Sequence, residues 1–381
     1  MKPAAEIARR QPENGGSPRS LASPPARGRR WTVITGGAGF IGANLADRLA
    51  GEGRRVLVYD SLRRPGVEHN LAWLRERHGD RVAAEIADVR DADVLRDAVG
   101  RAERVFHLAA QVAVTTSVGD PVTDFEVNAR GTLNLLEALR AAPEPPPLVF
   151  TSTNKVYGGL RGLSFGAGPD GYRPDDAAVG ARGVGEDQPL DFCSPYGCSK
   201  GAADQYVLDY ARIYGLPATV FRMSCVYGPR QFGTEDQGWV AHFLLRALRG
   251  EPITIYGDGR QVRDVLFIDD LVEALLLAQA RIGEAAGRAF NIGGGPDNAI
   301  SLLRLLDLIA RLNRSRPEVA FGPWRPGDQV YYVSDIRAFR AVTGWRPSVA
   351  VEGGVTRLWR WLQGAAVGRR ALERAEGAVV A

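Results

Sequence analysis

The chain has 381 residues, of which 45% are hydrophobic and 24% are charged, the composition of an ordinary folded globular enzyme. The isoelectric point is near 9.0, but the net charge is only +4 and the arginines are scattered, which disfavours a nucleic-acid-binding protein. No apolar run reaches membrane-spanning length, and the three cysteines and four histidines lack the spacing of a metal site. We therefore expect a cytoplasmic protein with reduced cysteines, no membrane or nucleic-acid partner and no metal ion.

A glycine-rich turn follows the first predicted strand. Strand 31–35 leads into the turn GGAGFIG at 36–42, a helix runs through 44–49, and a second strand, 55–59, ends in Asp60. The spaced glycines allow a tight turn, close approach of a pyrophosphate and packing of the helix on the strand, with the helix N-terminus facing the phosphates. Asp60 is expected to accept hydrogen bonds from the adenosine ribose, and its charge would repel a 2′-phosphate. The pattern predicts a dinucleotide site that favours NAD over NADP.

Strands and helices continue to alternate, which predicts an α/β fold of the Rossmann type with a doubly wound parallel sheet. Further strands are predicted at 81–87, 104–108, 148–152, 218–221 and 290–293, and long helices at 124–140, 195–214, 239–249 and 301–312. Asn128, within the first of these helices, is expected to tie neighbouring backbone together. The residues expected to contact the dinucleotide are Gly36, Gly39, Phe40, Ile41, Gly42, Asp60, Asp88, Val89, Ala109, Gln111, Tyr196 and Lys200.

Two segments are expected to bring a hydroxyl, a phenol and an ammonium together. Strand 148–152 delivers Thr153 to the carboxyl end of the sheet, and the helix at 195–214 carries Tyr196 and Lys200. Residues four apart share a helix face, so the Lys200 ammonium is expected beside Tyr196, where it would lower the pKa of the phenol. We predict that Tyr196 takes a proton from a sugar hydroxyl that Thr153 aligns. The chain has only three lysines, Lys2, Lys155 and Lys200, and the last two fall inside these motifs.

Several segments together resemble the extended short-chain dehydrogenase/reductase family, which contains the nucleotide-sugar epimerases and dehydratases. The resemblance extends from Trp31 to about Leu362. Its carriers are TGGAGFIG at 35–42, HLAAQ at 107–111, YGCSK at 196–200, GDGRQVRD at 257–264, NIGG at 291–294 and RPGDQ at 325–329. The resemblance implies bound NAD and a catalytic set of Thr153, Tyr196 and Lys200.

Within the family, the chain is most similar to 2-epimerases of the CDP-tyvelose (CDP-paratose) type. The similar segments are TSTNKVYG at 151–158, SPYGCSKGAADQYVLDYAR at 194–212, RQF at 230–232 and DQGWV at 236–240. This resemblance implies transient oxidation of a nucleotide sugar to a 2-keto sugar, followed by return of the hydride to the opposite face. The 4,6-dehydratases of the family carry an acid–glutamate pair after the threonine. Asn154-Lys155 stands there in this chain, which disfavours elimination.

Late loops bounded by glycines supply candidate contacts for the nucleotide sugar. Arg263 and Arg325 suit bidentate binding of a diphosphate, and Asp328 can reach a ribose. Lys155 either holds a sugar hydroxyl or ketone or forms a structural salt bridge. The predicted substrate contacts are Asn154, Lys155, Gln237, Trp239, Arg263, Arg325 and Asp328.

The predicted domain organisation has two parts between two tails. The NAD-binding domain comprises 31–227 and 263–292, and a smaller α/β nucleotide-sugar-binding domain comprises 228–262 and 293–363. Residues 1–30, rich in Pro, Gly, Ser and Arg, are expected to be a disordered tail, and 364–381 a second tail. The insertion at 159–187 is either a lid over the sugar or a solvated excursion. The family resemblance implies a homodimer or homotetramer.

Two other functions stay open from the sequence. A nucleotide-sugar 4-epimerase of the UDP-galactose type would use the same Thr153, Tyr196 and Lys200 with a different sugar pose. A non-catalytic NAD-binding sensor would be expected to lose the tyrosine or the lysine, and this chain keeps both. The base of the nucleotide and the deoxygenation of the sugar are not readable from the sequence.

Overall fold

The structure is a computed structural model, and it describes residues 31–325 and 327–364. The predicted tail at 1–30 lies outside the described residues, as does the tail at 364–381 apart from Gly364. Within the described part of the chain, no helix is both long enough and apolar enough to cross a lipid bilayer.

Strands and helices alternate along most of the chain, as predicted. The strands of the described residues are β1 (Trp31–Thr35), β2 (Val56–Asp60), β3 (Val82–Ile86), β4 (Ala102–His107), β5 (Leu148–Thr153), β6 (Phe165–Ala167), β7 (Tyr172–Pro174), β8 (Ala218–Met223), β9 (Cys225–Tyr227), β10 (Ile253–Tyr256), β11 (Val262–Phe267), β12 (Ala289–Ile292), β13 (Ala299–Ser301), β14 (Val319–Gly322) and β15 (Tyr331–Tyr332). The helices are α1 (Phe40–Gly51), α2 (Val67–His78), α3 (Ala92–Gly100), α4 (Val114–Gly119), α5 (Pro121–Phe125), α6 (Gly131–Ala141), α7 (Ala177–Arg182), α8 (Ser194–Tyr214), α9 (Trp239–Arg249), α10 (Ile268–Ala280), α11 (Ile282–Ala285), α12 (Leu302–Asn313), α13 (Arg337–Thr343) and α14 (351–364). Short 3-10 turns lie at Gly79–Arg81, Asn154–Tyr157 and Pro296–Asn298.

Seven parallel strands form the central sheet in the order β12-β8-β5-β4-β1-β2-β3. Adjacent residues of a strand point to opposite faces, and accordingly Val33 and Ile34 of β1 belong to separate hydrophobic cores. Helices α1, α2 and α10 contribute to one core, and α3, α6 and α8 to the other. Strand order reverses between β1 and β4, which is the point where such sheets bind ligands at their carboxyl ends. The doubly wound Rossmann-type prediction is confirmed.

Smaller sheets lie beside the central one. Strands β10 and β14 pair in parallel, and β11 pairs with β13, β15 and β9. Helix α9 packs against α12 and β10 in this part of the molecule. Ser301 caps α12 by accepting a hydrogen bond from the Arg304 backbone N–H at 3.3 Å.

The insertion at 159–187 is an ordered subdomain, because its own elements and its contacts fix it to the rest of the chain. It contains the hairpin of β6 and β7 and the short helix α7, which Asp176 caps. Phe165 stacks on Tyr331 at a centroid distance of 5.5 Å, and Val184 pairs with Ser334 as a β-bridge. All residues of this segment are described, and none lines the cleft that opens at the carboxyl ends of the central strands. The segment is therefore ordered, and it lies outside the lining of that cleft.

The predicted helix 124–140 is interrupted by a wide π turn at Glu126–Arg130, between α5 and α6. Asn128 lies in this turn. Its side-chain amide donates to the Gln111 carbonyl at 3.0 Å, and its Oδ1 accepts from the Gln111 backbone N–H at 2.9 Å. The expectation that Asn128 ties neighbouring backbone together is confirmed.

Candidate active site

A cleft of about 590 Å³ opens at the carboxyl ends of the central strands. The predicted site residues that line it are Phe40, Ile41, Thr153, Asn154, Lys155, Tyr196, Lys200, Gln237, Trp239, Arg263, Arg325 and Asp328. The other predicted dinucleotide contacts lie at or after the carboxyl ends of β1 to β4 and do not line this cleft. They are Gly36, Gly39, Gly42, Asp60, Asp88, Val89, Ala109 and Gln111. The cleft and this strip of loops therefore form one continuous edge of the sheet.

The glycine turn between β1 and α1 has no room for side chains. Gly36 has a φ of +69°, and a Cβ there would lie 2.7 Å from the backbone N of Ala109. A Cβ at Gly42 would lie 2.3 Å from the carbonyl oxygen of Gly36. Gly39 precedes the first turn of α1, and no side chain caps that turn. The bare N-terminal turn fits the pyrophosphate of a dinucleotide.

Asp60 ends β2 beside the glycine turn. Its carboxylate accepts hydrogen bonds from the backbone N–H groups of Ala38 at 3.0 Å and Leu62 at 2.9 Å. Burial raises the pKa of Asp60, although these hydrogen bonds oppose the shift. The carboxylate is thus fixed where the sequence predicts the adenosine ribose, which fits NAD.

The other predicted dinucleotide contacts are held by neighbours. Arg90 pairs with the Asp88 carboxylate at 2.8 Å, and this contact lowers the pKa of Asp88. Val89 is buried, and a Cβ at Gly131 would meet its side chain at 2.6 Å. The Gln111 side chain is engaged with the backbone of the loop that follows β4, donating to Ala113 at 2.9 Å.

The predicted catalytic residues meet on one wall of the cleft. Thr153 ends β5, while Tyr196 and Lys200 lie one turn apart near the start of α8, and all three are buried. The ammonium of Lys200 donates to the Thr151 carbonyl at 2.7 Å and lies 4.2 Å from the centre of the Phe150 ring. Helix α8 is therefore bonded to the strand that carries Thr153.

Burial has the largest effect on the pKa values of Tyr196 and Lys200. It raises the pKa of Tyr196 to about 12, against a lowering contribution from the Thr153 hydrogen bond, and Asp124 raises it further. Burial also lowers the pKa of Lys200 to about 7, although Asp204 and Asp124 oppose the shift. The sequence led us to expect a lowered phenol pKa. The pKa rises instead because burial disfavours the charged phenolate, just as it disfavours the ammonium of Lys200.

The predicted phosphate and ribose contacts pair with one another in the cleft. Arg263 pairs with Asp328 at 2.7 Å, and Lys155 lies 3.7 Å from the same carboxylate and 3.3 Å from the Gly327 carbonyl. Burial and the neighbouring Arg263 lower the pKa of Lys155, while Asp328 raises it. Lys155 therefore makes a salt bridge and at the same time lines the cleft.

Arg325 is paired as well. Its guanidinium contacts Glu235 at 2.9 Å and Asp236 at 3.5 Å and lies 3.8 Å over the ring of Tyr256. Gln237, the next residue, accepts a hydrogen bond from Arg64, in the loop that follows β2. The loop 229–238 thus connects the predicted phosphate site to the dinucleotide side of the cleft.

Sequence reasoning missed several residues of the cleft. Glu235 and Asp236 line it next to the predicted Gln237, and nothing in their spacing indicates pairing with Arg325. Within the described residues, three buried polar atoms of the lining have no hydrogen-bond partner, and these are Ser152 Oγ, Gln231 Oε1 and Gln261 Oε1. In the same part of the chain, no group of three His, Cys, Asp or Glu residues is arranged to hold a metal ion.

Comparison with known proteins agrees with this geometry. Residues 32–293 match the model of the NAD dependent epimerase/dehydratase family. The chain is 41% identical to CDP-paratose 2-epimerase of Salmonella typhi over 342 residues, which cover 86% of this chain and 98% of that protein. It is 35% identical to UDP-glucose 4-epimerase of Mycolicibacterium smegmatis over 86% of this chain and 96% of the relative. The solved UDP-glucose 4-epimerase of Thermus thermophilus, in complex with NAD, superposes with a TM-score of 0.73 at 35% identity, covering 88% of this chain and 99% of that one.

The match spans most of the chain, and the bare glycine turn, Asp60 at the end of β2 and the Thr153–Tyr196–Lys200 wall fall within it. The resemblance drawn from the sequence motifs is confirmed. The chain belongs to the NAD-dependent epimerase/dehydratase family and is an enzyme of the epimerase class with NAD as its cofactor.

Proposed function

We propose that this protein inverts C2 of a nucleotide-linked sugar of the CDP-paratose/CDP-tyvelose type. One observation carries the proposal: the similarity to CDP-paratose 2-epimerase spans 98% of that enzyme at 41% identity, against 35% for the 4-epimerase of Mycolicibacterium smegmatis. Asn154 and Lys155, which follow Thr153 directly, support it, because an amide and an ammonium cannot act as the acid–base couple of an elimination.

In the proposed reaction, the residues of the cleft move one proton and hold the sugar. Tyr196 removes the proton of the C2 hydroxyl and returns it after inversion, and Thr153 aligns that hydroxyl. NAD, when bound, supplies the acceptor and later the donor of the C2 hydride, so the sugar passes through a 2-keto form. The raised pKa of Tyr196 means that the phenol gives up its own proton only with positive charge nearby. Lys200 supplies part of that charge when it is protonated.

The remaining cleft residues are proposed to anchor the nucleotide while the keto sugar turns. Arg263 and Arg325 would take the diphosphate, with Asp328 near a ribose hydroxyl. Their present pairing with carboxylates, at 2.7 Å for Arg263 and 2.9 Å for Arg325, supports this role because both guanidinium groups line the cleft beside acidic partners that a diphosphate can replace. Asn154, Lys155, Gln237 and Trp239 are proposed to surround the sugar.

We also propose the domain division into an NAD-binding part, 31–227 and 263–292, and a sugar-nucleotide part, 228–262 and 293–363. The seven strands of the central sheet all come from the first part, which supports the division. The dinucleotide contacts predicted from the sequence, Gly36 to Gln111 together with Tyr196 and Lys200, belong to the same part. A cytoplasmic location stays a prediction.

A homodimer, or a homotetramer built from such dimers, is proposed through the face of α4, α5 and α8. Val122 of α5 is 71% exposed and Ile213 of α8 is 59% exposed. Further exposed apolar side chains on the same three helices are Val118, Phe125, Tyr206 and Tyr214. Sedimentation of the wild type and of Val122→Asp tests this face, and a wild-type monomer would contradict it.

The test of the reaction is proton NMR of the purified enzyme with CDP-, UDP-, dTDP- and GDP-hexoses, without added cofactor. Inversion at C2 in one nucleotide series supports the proposal and identifies the base. Tyr196→Phe should abolish turnover and keep bound NAD, whereas Tyr227→Phe, whose hydroxyl faces the Val351 carbonyl away from the cleft lining, should leave turnover unchanged. A solvent-derived deuteron at C2 after turnover in D2O would argue for deprotonation and reprotonation instead.

A nucleotide-sugar 4-epimerase is the second candidate. The 35% identity to UDP-glucose 4-epimerase over 96% of that enzyme favours it, and the same Tyr196 and Thr153 would serve it. Inversion at C4 in the NMR panel would select this function. Absence of turnover with every sugar, together with tight binding of a nucleoside diphosphate, would select the non-catalytic NAD-binding sensor.

A further inference from the structure

A buried guanidinium lies behind the catalytic wall. Arg222 is in β8, which runs beside β5, and in the register of the two strands Arg222 is opposite Ser152. Its Nε and Nη2 donate to the two carboxylate oxygens of Asp204 in α8, each at 2.9 Å. Both side chains are almost fully buried, with exposed fractions of 6% and 0%. Asp204 lies one turn after Lys200, so this pair fixes the turn of α8 that follows the catalytic lysine.

The third guanidinium nitrogen of Arg222 contacts the segment that follows Thr153. Nη1 donates to the hydroxyl oxygen of Tyr157 at 3.1 Å, and that hydroxyl donates to Oδ1 of Asn291 at 2.7 Å. Tyr157 closes the 3-10 turn Asn154–Tyr157, which carries Asn154 and Lys155 into the cleft. One guanidinium therefore holds both segments that bring the candidate catalytic residues together.

The insertion at 159–187 completes this network from the side away from the cleft. Asn291 of β12 donates through its side-chain amide to the Val184 carbonyl at 2.9 Å. Its backbone N–H donates to the Glu186 carboxylate at 2.7 Å. Val184 also packs with Tyr157 and Tyr332 in one small buried cluster. The end of the insertion is thus bonded, through Asn291 and Tyr157, to Arg222 and α8.

The proposed reaction is sensitive to the relative position of these two segments. Thr153 comes from β5, whereas Tyr196 and Lys200 come from α8, and both hydroxyls have to meet the same substrate oxygen. A misplacement of about 1 Å can cost on the order of a hundredfold in rate. Side chains in such sites are held by partners behind them, and a buried, fully bonded network is rigid.

We propose that Arg222 and Tyr157 are positioning residues that set α8 against the Thr153 segment, and that the insertion supports this arrangement through Glu186 and Val184. The inference rests on the proposed function, since it concerns the geometry of that reaction. It assigns to 159–187 a role behind the catalytic wall, at a distance from the sugar.

The first test compares Tyr157→Phe with Tyr227→Phe. Both tyrosines are fully buried, but the Tyr227 hydroxyl lies outside the network and, among the described residues, donates to the Val351 carbonyl at 3.4 Å. Tyr157→Phe should lower kcat at least about tenfold and leave KM within about twofold, because the proposed diphosphate contacts, Arg263 and Arg325, lie outside the network while the catalytic geometry loosens. Tyr227→Phe should retain wild-type kcat. Equal kcat in the two variants, at a temperature where both are folded, would overturn the inference.

The second test examines the insertion. Glu186→Ala removes the acceptor of the Asn291 N–H, whereas Glu186→Gln keeps an oxygen there, so the alanine variant should lose kcat severalfold and the glutamine variant should recover most of it. Loss of kcat in neither variant would remove the insertion from the proposal.

Hydrogen exchange supplies a readout without substrate. Amides of 154–157 and of the start of α8 should exchange faster in Tyr157→Phe than in Tyr227→Phe. A wild-type enzyme that turns over no sugar would refute the proposed function alone, whereas unchanged exchange in Tyr157→Phe would refute the network alone.

Discussion

Neutralising Asp204 should destabilise the protein strongly, because it leaves the Arg222 guanidinium charged, buried and unpaired. The two carboxylate oxygens of Asp204 each accept a hydrogen bond of 2.9 Å from Arg222, and the carboxylate is fully buried. Removing one partner of a buried ion pair costs about 3–5 kcal/mol. Asp204→Asn keeps the shape of the side chain and one acceptor oxygen, so the free energy of unfolding should fall by about 3 kcal/mol. Urea unfolding followed by circular dichroism measures the difference.

Two controls make the Asp204→Asn experiment decisive. Arg311 and Glu352 form a pair of the same length, 2.9 Å, but with exposed fractions of 62% and 76%. Glu352→Gln should therefore cost less than about 1 kcal/mol. The double variant Asp204→Asn with Arg222→Met removes the stranded charge and should recover most of the stability, since neutral replacements of a buried pair are often tolerated. A cost for Asp204→Asn no larger than that for Glu352→Gln would refute the reasoning.

Three further predictions concern the cofactor side and the lysine. Gly42→Ala should weaken NAD binding at least about tenfold, because the added Cβ would meet the Gly36 carbonyl. Gly51→Ala, in the same helix but with open space around it, should leave NAD binding unchanged. The NAD content of the two purified variants measures the difference. Asp60→Asn should reduce the preference for NAD over NADP in binding titrations by about tenfold, because a 2′-phosphate then meets no carboxylate. The pKa of Lys200 falls from 10.5 to about 7 on folding, so the unfolded chain binds the extra proton between these pH values. The ligand-free enzyme should therefore gain stability as pH rises through that window, by up to about 1.4 kcal/mol per unit, a slope that Lys200→Met removes in pH-dependent urea unfolding.

The elements of the sheet could be read from the sequence because buried parallel strands are short apolar runs with clear ends. The predicted strand 148–152 is β5, one residue longer, and the predicted helix 239–249 is α9. The π turn at Glu126–Arg130 could not be read, since one extra residue per turn leaves the apolar pattern of a helix almost unchanged. The ordered insertion also escaped prediction. Its stability depends on partners such as Tyr331 and Ser334, which lie far along the chain.

The candidate site was predictable wherever local spacing determines it. Tyr196 and Lys200 share a helix face by their spacing alone, and Gly42 is required by backbone contacts with Gly36 and Gly37 of the same glycine turn. Partners that lie far apart along the chain could not be predicted from local spacing. Nothing local to Arg263 indicates that Asp328, 65 residues later, holds it. The pKa of the phenol was expected to fall, and it rises because burial, a property of the whole fold, outweighs the lowering effect of the Thr153 hydrogen bond.

Positively charged side chains of the cleft are paired with carboxylates. Lys155 and Arg263 share Asp328, and Arg325 lies between Glu235 and Asp236. Under the proposed function, a nucleotide sugar therefore binds by exchange, because its diphosphate has to displace carboxylates from guanidinium groups that are already paired. Only a ligand with strong bidentate acceptors offers those groups an equal replacement. A free sugar, whose hydroxyls are neutral, cannot make that exchange. A sugar therefore binds beside Thr153 and Tyr196 only when it carries a diphosphate.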